Sequence, residues 1–299
     1  MVARVPWLGR DDLLASGFFA GACALIAGCA WAWTIGLLST PWTILGIMVG
    51  QSILHEMEHD LIHDLYLPHA FVRNSILATI WLVKASVDPW KRGRWHRWHH
   101  AVSGQAEDIE ERLIGMGLPW GPLRILITVF PPVALVIKPA LHRAMDRRVA
   151  AGIRRPTFAH AHATWAFEAV TAVLVSLPLV AIGGWFAGAA WTWPLLVLWV
   201  LPNTIRHAAI AFMSSNSHYT HISRNDILEQ NQILDHPVFW PLQALCWNFG
   251  ATHVVHHFLV RQPFWRRTLL FPRVRSMLVE HGVRANDFQS LRRANRRTA

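Results

Sequence analysis

Over much of this chain apolar residues neither alternate nor recur on one face; they run on. From Leu13 to Leu54 no charged residue and no histidine interrupts the sequence, and from Ala169 to Ile205 none does either. At roughly 20 residues per crossing, each run holds two membrane spans. Ser39-Thr40-Pro41 breaks the first run near its middle and Gly183-Gly184 breaks the second, since Pro and paired glycines punctuate helices. The pattern predicts spans near 13–33, 37–56, 166–183 and 188–208, joined as two hairpins.

Two other stretches, 70–87 and 121–141, are apolar but interrupted by Arg73 and Lys84 in one and by Arg124, Pro131-Pro132 and Lys138 in the other. Such segments are expected to lie as helices in the membrane interface, with a short extra span as the competing reading for 121–141. No internal repeat or low-complexity linker divides the chain. Residues 1–299 therefore read as one all-α integral membrane unit: a bundle of about four transmembrane helices in two hairpins, with a helical cap on one side.

Composition agrees: 53% of residues are hydrophobic, 15% are charged, and there are 17 Trp, a profile of a bilayer protein. Charge adds orientation. The hairpin tips carry none, whereas Lys91, Arg92, Arg94 and Arg97, the Arg143–Arg155 cluster and the tail from Arg261 to Arg297 all fall on the opposite side. The positive-inside rule makes that side, with both termini, cytoplasmic. The net charge of +10 thus has a membrane explanation, and nucleic acid is not an expected partner: no zinc finger or recognition-helix pattern is present and the basic residues are scattered among apolar segments. Cys23, Cys29 and Cys246 form no CxxC pair and no disulfide framework. Leu25-Ile26-Ala27-Gly28-Cys29 looks like a lipoprotein processing site, but a second span follows at once, so the run is better read as half of a hairpin.

The chemistry is carried by three histidine clusters: His55-Glu56-Met57-Glu58-His59-Asp60-Leu61-Ile62-His63, His96-Arg97-Trp98-His99-His100 and His253-Val254-Val255-His256-His257. Residues four apart on an α-helix are offset by only about 40°, so His55, His59 and His63 form a stripe on one face, with Glu56 and Asp60 beside it to take the outer ring N–H groups. The other two clusters share the spacing His-x-x-His-His, which brings the first and last members onto one face and turns the middle one aside. An all-nitrogen donor set without thiolates suits iron, copper, nickel or zinc rather than magnesium or calcium. His55-Glu56-x-x-His59 also fits the zinc-protease pattern, but a protease needs one further ligand and leaves two clusters unexplained. A metal transporter is the other rival; its ligands belong near the bilayer midplane on broken helices, and the apolar runs hold no ionisable ladder.

The order His-x-x-x-His after the first hairpin, His-x-x-His-His before the second and His-x-x-His-His after it resembles the membrane fatty-acid desaturase and hydroxylase superfamily, which includes alkane monooxygenases and carotenoid ketolases, over nearly the whole chain. Two registers of the first box stay open: His59-Asp60-x-x-His63 is similar to desaturases and ketolases, His55-Glu56-x-x-His59 to alkane hydroxylases. The resemblance implies two non-haem irons held by cytoplasmic histidines, O₂ as co-substrate and attack on unactivated C–H bonds of a fatty acyl or other long lipid chain. It also implies an extra ligand between the second hairpin and the third box. Asn216-Ser217-His218-Tyr219 is similar to the Asn-containing His-Tyr segment of alkane hydroxylases, which selects His218, with His221 and His207 as alternatives.

The expected metal set is then His55, His59, His63, His96, His99, His100, His218, His253, His256 and His257, with His236 read as an ordinary hydrogen-bonding residue. Glu107-Asp108-Ile109-Glu110-Glu111 either orients ligand imidazoles or is a solvated acidic loop. Desaturation is the leading reaction; hydroxylation, ketone formation and alkene-forming decarboxylation begin with the same hydrogen abstraction. Asp235-His236-Pro237-Val238 lacks the His-Pro-Gly-Gly signature of fused cytochrome b domains, so a separate ferredoxin or cytochrome with its reductase is the implied electron donor.

Overall fold

The computed structural model describes residues 11–105, 108, 110, 119–130, 133, 137, 164–220, 226–293 and 295. The Arg143–Arg155 cluster, His142, His160, His162 and His221 lie outside them.

The first apolar run folds as α1 (Asp11–Thr34) and α2 (Thr40–Leu61), antiparallel and turned at Gly36, whose φ of 77° only glycine adopts freely. The two helices meet closely. A Cβ on Gly50 would stand 2.6 Å from Ile26 Cγ1 and one on Gly46 would collide with Cys29 Sγ, so small residues set the approach, as is common between membrane helices. α3 (Ala70–Lys84) and α4 (Pro89–Val102) follow. Asp88 caps α4 by accepting from the Trp90 and Lys91 amides at 2.8 and 2.9 Å, with Pro89 at its first position. After α5 (Pro122–Val129), the second apolar run forms α6 (Thr164–Phe186) and α7 (Thr192–Ser217), the latter with one π turn at Leu196–Val200.

Three of these helices, α1, the Trp165–Phe186 part of α6, and α7, are long and apolar enough to cross a membrane. α2 has the length but not the composition, because its last two turns carry His55, Glu56, Glu58, His59 and Asp60, all buried. The expected span at 37–56 is thus a helix whose far end becomes the site. α3 and α4 pass the same test only when joined, and they are bent by 97° at the break. Lys84 and Arg124, basic residues that interrupt the 70–87 and 121–141 stretches, are buried, 3% and 2% exposed.

The remaining chain makes the cap. α8 (Ile227–Gln230), α9 (Trp240–Ala244), α10 (Phe249–Phe258) and α11 (Phe264–Glu280) are held by a two-residue parallel pairing of β1 (Gln232–Ile233) with β2 (Arg284–Ala285). One apolar core of Leu54, Met57, Leu61, Ile80, Phe264 and Trp265 joins α2 and α3 to α11; another, of Ile233, Val254, Val255, Phe271 and Leu278, packs β1, α10 and α11 together within the cap.

Candidate metal centre

Each histidine reaches the centre from a different local cause. The i, i+4 stripe on α2 continues through the turn that ends the helix, carrying His59 and His63 inward together. α4 supplies His96, His99 and His100, and α10 supplies His253, His256 and His257. His218 closes α7 in an extended conformation, φ −116° and ψ 147°, bridged to Asn231, which turns its ring off the helix axis and into the cluster.

Among the described residues two groups of four result. One ring nitrogen from each of His59, His63, His96 and His256 lies within 4.8 Å of the others, and the same holds for His99, His218, His253 and His257. His100 stands between them: its Nε2 is 3.2 Å from His96 Nε2 and 2.9 Å from His256 Nε2, and its ring centre is 4.6 Å from that of His257. Nine of the ten expected histidines therefore converge. His55 does not; its Nδ1 turns to Lys84 Nζ at 3.0 Å. The register of the first box that reaches the cluster is His59 and His63.

The outer nitrogens are held by the acidic loop. His96 Nδ1 donates to Glu110 Oε2 at 2.7 Å and His99 Nδ1 to Asp108 Oδ2 at 2.8 Å, leaving each Nε2 to face inward. Asp108 also accepts from the Gly104 amide. Ser103 Oγ lies 3.3 Å from His218 Nδ1. Burial pushes Glu110 above the usual carboxylate range. Burial, then the charges of Arg267 and Arg97, lowers His63 to about 3. His218, His253, His256 and His257 are all driven well below the ordinary imidazole value, first by burial and then by neighbouring imidazoles or Arg267. They are neutral at physiological pH, the form a metal requires.

Does this donor set fit a metal? Five Nε2···Nε2 pairs stand 2.8–3.2 Å apart: His218–His253, His256–His63, His256–His100, His257–His253 and His100–His96. Two nitrogens each about 2.0–2.1 Å from one ion, at right angles, stand about 3 Å apart. His59 Nε2 is buried with no hydrogen-bond partner, an orphaned lone pair that a cation would satisfy. The residues fit.

Sequence reasoning missed the cations around the centre. Arg267 on α11 donates to Asp60 at 2.8 Å and to Glu56 at 3.3 Å, and the Phe264 amide donates to Asp60 at 2.8 Å. Glu58 receives Arg92 at 2.6 Å and also Lys84. The only signal was that Glu56, Glu58 and Asp60 on a mostly apolar helix require buried partners. Among the other histidines, His207 joins neither group, while exposed His236 caps Val238 and exposed His281 faces the Met277 carbonyl.

The described helices make a membrane helical bundle in which two convergent histidine groups could each hold a metal ion. The family model for fatty acid desaturase matches residues 31–289, and the chain belongs to that family. Among curated proteins the chain has no match.

Proposed function

We propose that this protein is an O₂-dependent non-haem diiron oxidoreductase that acts on C–H bonds of a fatty acyl or other long lipid chain, with desaturation as its reaction. The observation that carries the reading is the pairing of two four-histidine groups with His100 between them, two adjacent all-nitrogen sites in a family of fatty-acid desaturases. His59, His63, His96 and His256 would hold one iron and His99, His218, His253 and His257 the other, with His100 shared or assigned to either. When bound, the iron pair supplies O₂-dependent oxidation of an unactivated C–H bond.

The chain's own residues do the rest. Asp108 and Glu110 fix the tautomer and orientation of His99 and His96. Burial of His59, His96, His99, His218, His253, His256 and His257 keeps water from their ring nitrogens. The apolar helices deliver a substrate already dissolved in the bilayer. In this reading the histidine face is cytoplasmic and receives electrons from a separate ferredoxin or cytochrome.

The test joins metal and product. Protein purified in detergent is expected to hold about two irons per chain and no haem, and cells expressing it, with a reductase system supplied, are expected to gain unsaturated lipid by mass spectrometry. One tightly held zinc and no iron would refute the proposal.

A further inference from the structure

Arg206 sits on α7, an apolar span, and is 3% exposed, while Ile205 beside it is 41% exposed; the arginine faces into the bundle. A buried arginine in a membrane span is expensive and ordinarily has a partner. Among the described residues none is found: no hydrogen bond or ion pair reaches its guanidinium, and Nε is sealed away without an acceptor. The carboxylate whose field reaches it is Glu58. Both oxygens of Glu58 are already taken, one by Arg92 at 2.6 Å and the other by Lys84. Two cations thus already share that carboxylate, one residue along α2 from His59, and it has no oxygen left for Arg206. The other nearby carboxylates, Glu56 and Asp60, are engaged by Arg267.

The polar side chains around this junction supply no anion to it. Asn203, one turn earlier on α7, donates to the Val83 carbonyl at 3.0 Å, and Gln51 on α2 donates to the same carbonyl at 3.4 Å. These bonds pin α7 and α2 to the end of α3 beside Lys84. The side-chain oxygens of Asn203 and Gln51 are buried and unpartnered, and neither can neutralise a cation. What is missing is a monoanion. A guanidinium presents a planar fork that a carboxylate matches with two parallel hydrogen bonds, and a site reached through apolar spans favours an anion carrying a long apolar tail.

We infer that Arg206 binds the carboxylate of an unesterified long-chain fatty acid, so that the lipid taken is the free acid rather than an ester or a phospholipid. This rests on the reading of the protein as an oxidoreductase of fatty chains. The test is displacement of radiolabelled palmitate from the full-length protein in detergent by palmitate, methyl palmitate or hexadecylphosphocholine. Palmitate should compete at a concentration about ten-fold or more lower than the other two, the value of at least one charged hydrogen bond. Arg206→Gln should erase that preference, and Arg206→Lys, which keeps the charge and loses the fork, should weaken palmitate several-fold and leave methyl palmitate unchanged. Equal competition by the ester or the phosphocholine in the wild-type protein would overturn the inference, as would an undiminished acid preference in a folded Arg206 variant. Iron content is measured on the same preparation. Iron with no acid preference removes this inference alone, whereas acid preference without iron removes the diiron reading alone.

Discussion

Arg267 Nη2 donates to Asp60 Oδ1 across 2.8 Å, both side chains buried and 207 positions apart in the chain. The same guanidinium reaches Glu56 and comes within 3.5 Å of His59 Nδ1, so one cation from the cap compensates two carboxylates beside the first histidine box. Arg267→Met removes that compensation and leaves two buried acids unpaired, which costs about 3–5 kcal/mol. The expected result is a lower melting temperature in detergent and loss of bound metal; a variant with wild-type melting and full metal content would show that the contact is not structural.

Asp108 and Glu110 accept from the outer nitrogens of His99 and His96. Asp108→Asn and Glu110→Gln are expected to weaken metal retention about 10–100-fold while circular dichroism stays unchanged. Competition with a chelator measures it.

The histidines divide by geometry. His55→Ala, which removes only a partner of Lys84, is expected to keep both metals. His59→Ala, His63→Ala or His218→Ala should each lose at least one. Metal counting on purified variants decides, and retention of both metals in His218→Ala would point to a different ligand after α7.

Acidification should destabilise the metal-free protein. His63 lies at about 3 and the four histidines of α10 and the α7 terminus lie well below the ordinary value, against about 6.5 in the unfolded chain. Between those values the unfolded state binds more protons, so stability is full above about pH 6.5 and falls as pH drops below it. Melting temperatures of apo-protein from pH 7.5 to 5 are expected to decrease monotonically. A flat profile would mean that the imidazoles are already protonated when folded.

Orientation is testable by labelling. With Cys23, Cys29 and Cys246 replaced, Ser39→Cys and Ala187→Cys in the two hairpin turns are expected to react with an impermeant thiol reagent added outside intact cells. Arg261→Cys and His281→Cys should react only after the membrane is opened.

The helical bundle was legible in the chain because apolar run length is a one-dimensional quantity set by bilayer thickness, and the boxes were legible because i, i+4 spacing places side chains on one face without reference to the rest of the fold. α1, α2, α6 and α7 stand close to where the hydropathy breaks put them. Local spacing could not choose between the two registers of the first box, since His55, His59 and His63 share one stripe. That choice belongs to the tertiary structure: His55 lies where α3 brings Lys84 against α2, and His59 and His63 lie where α4 and α10 arrive. Nor could sequence reveal which cations compensate Glu56, Glu58 and Asp60. Buried ion pairs are set by elements that meet in space, here α2 with α3, α4 and α11, and charge compensation across 26 to 211 positions leaves no periodic trace. The chain by itself determined a membrane bundle bearing histidine boxes; only packing decided which imidazoles converge, which carboxylates orient them, and that Arg206 is buried with no partner among the described residues.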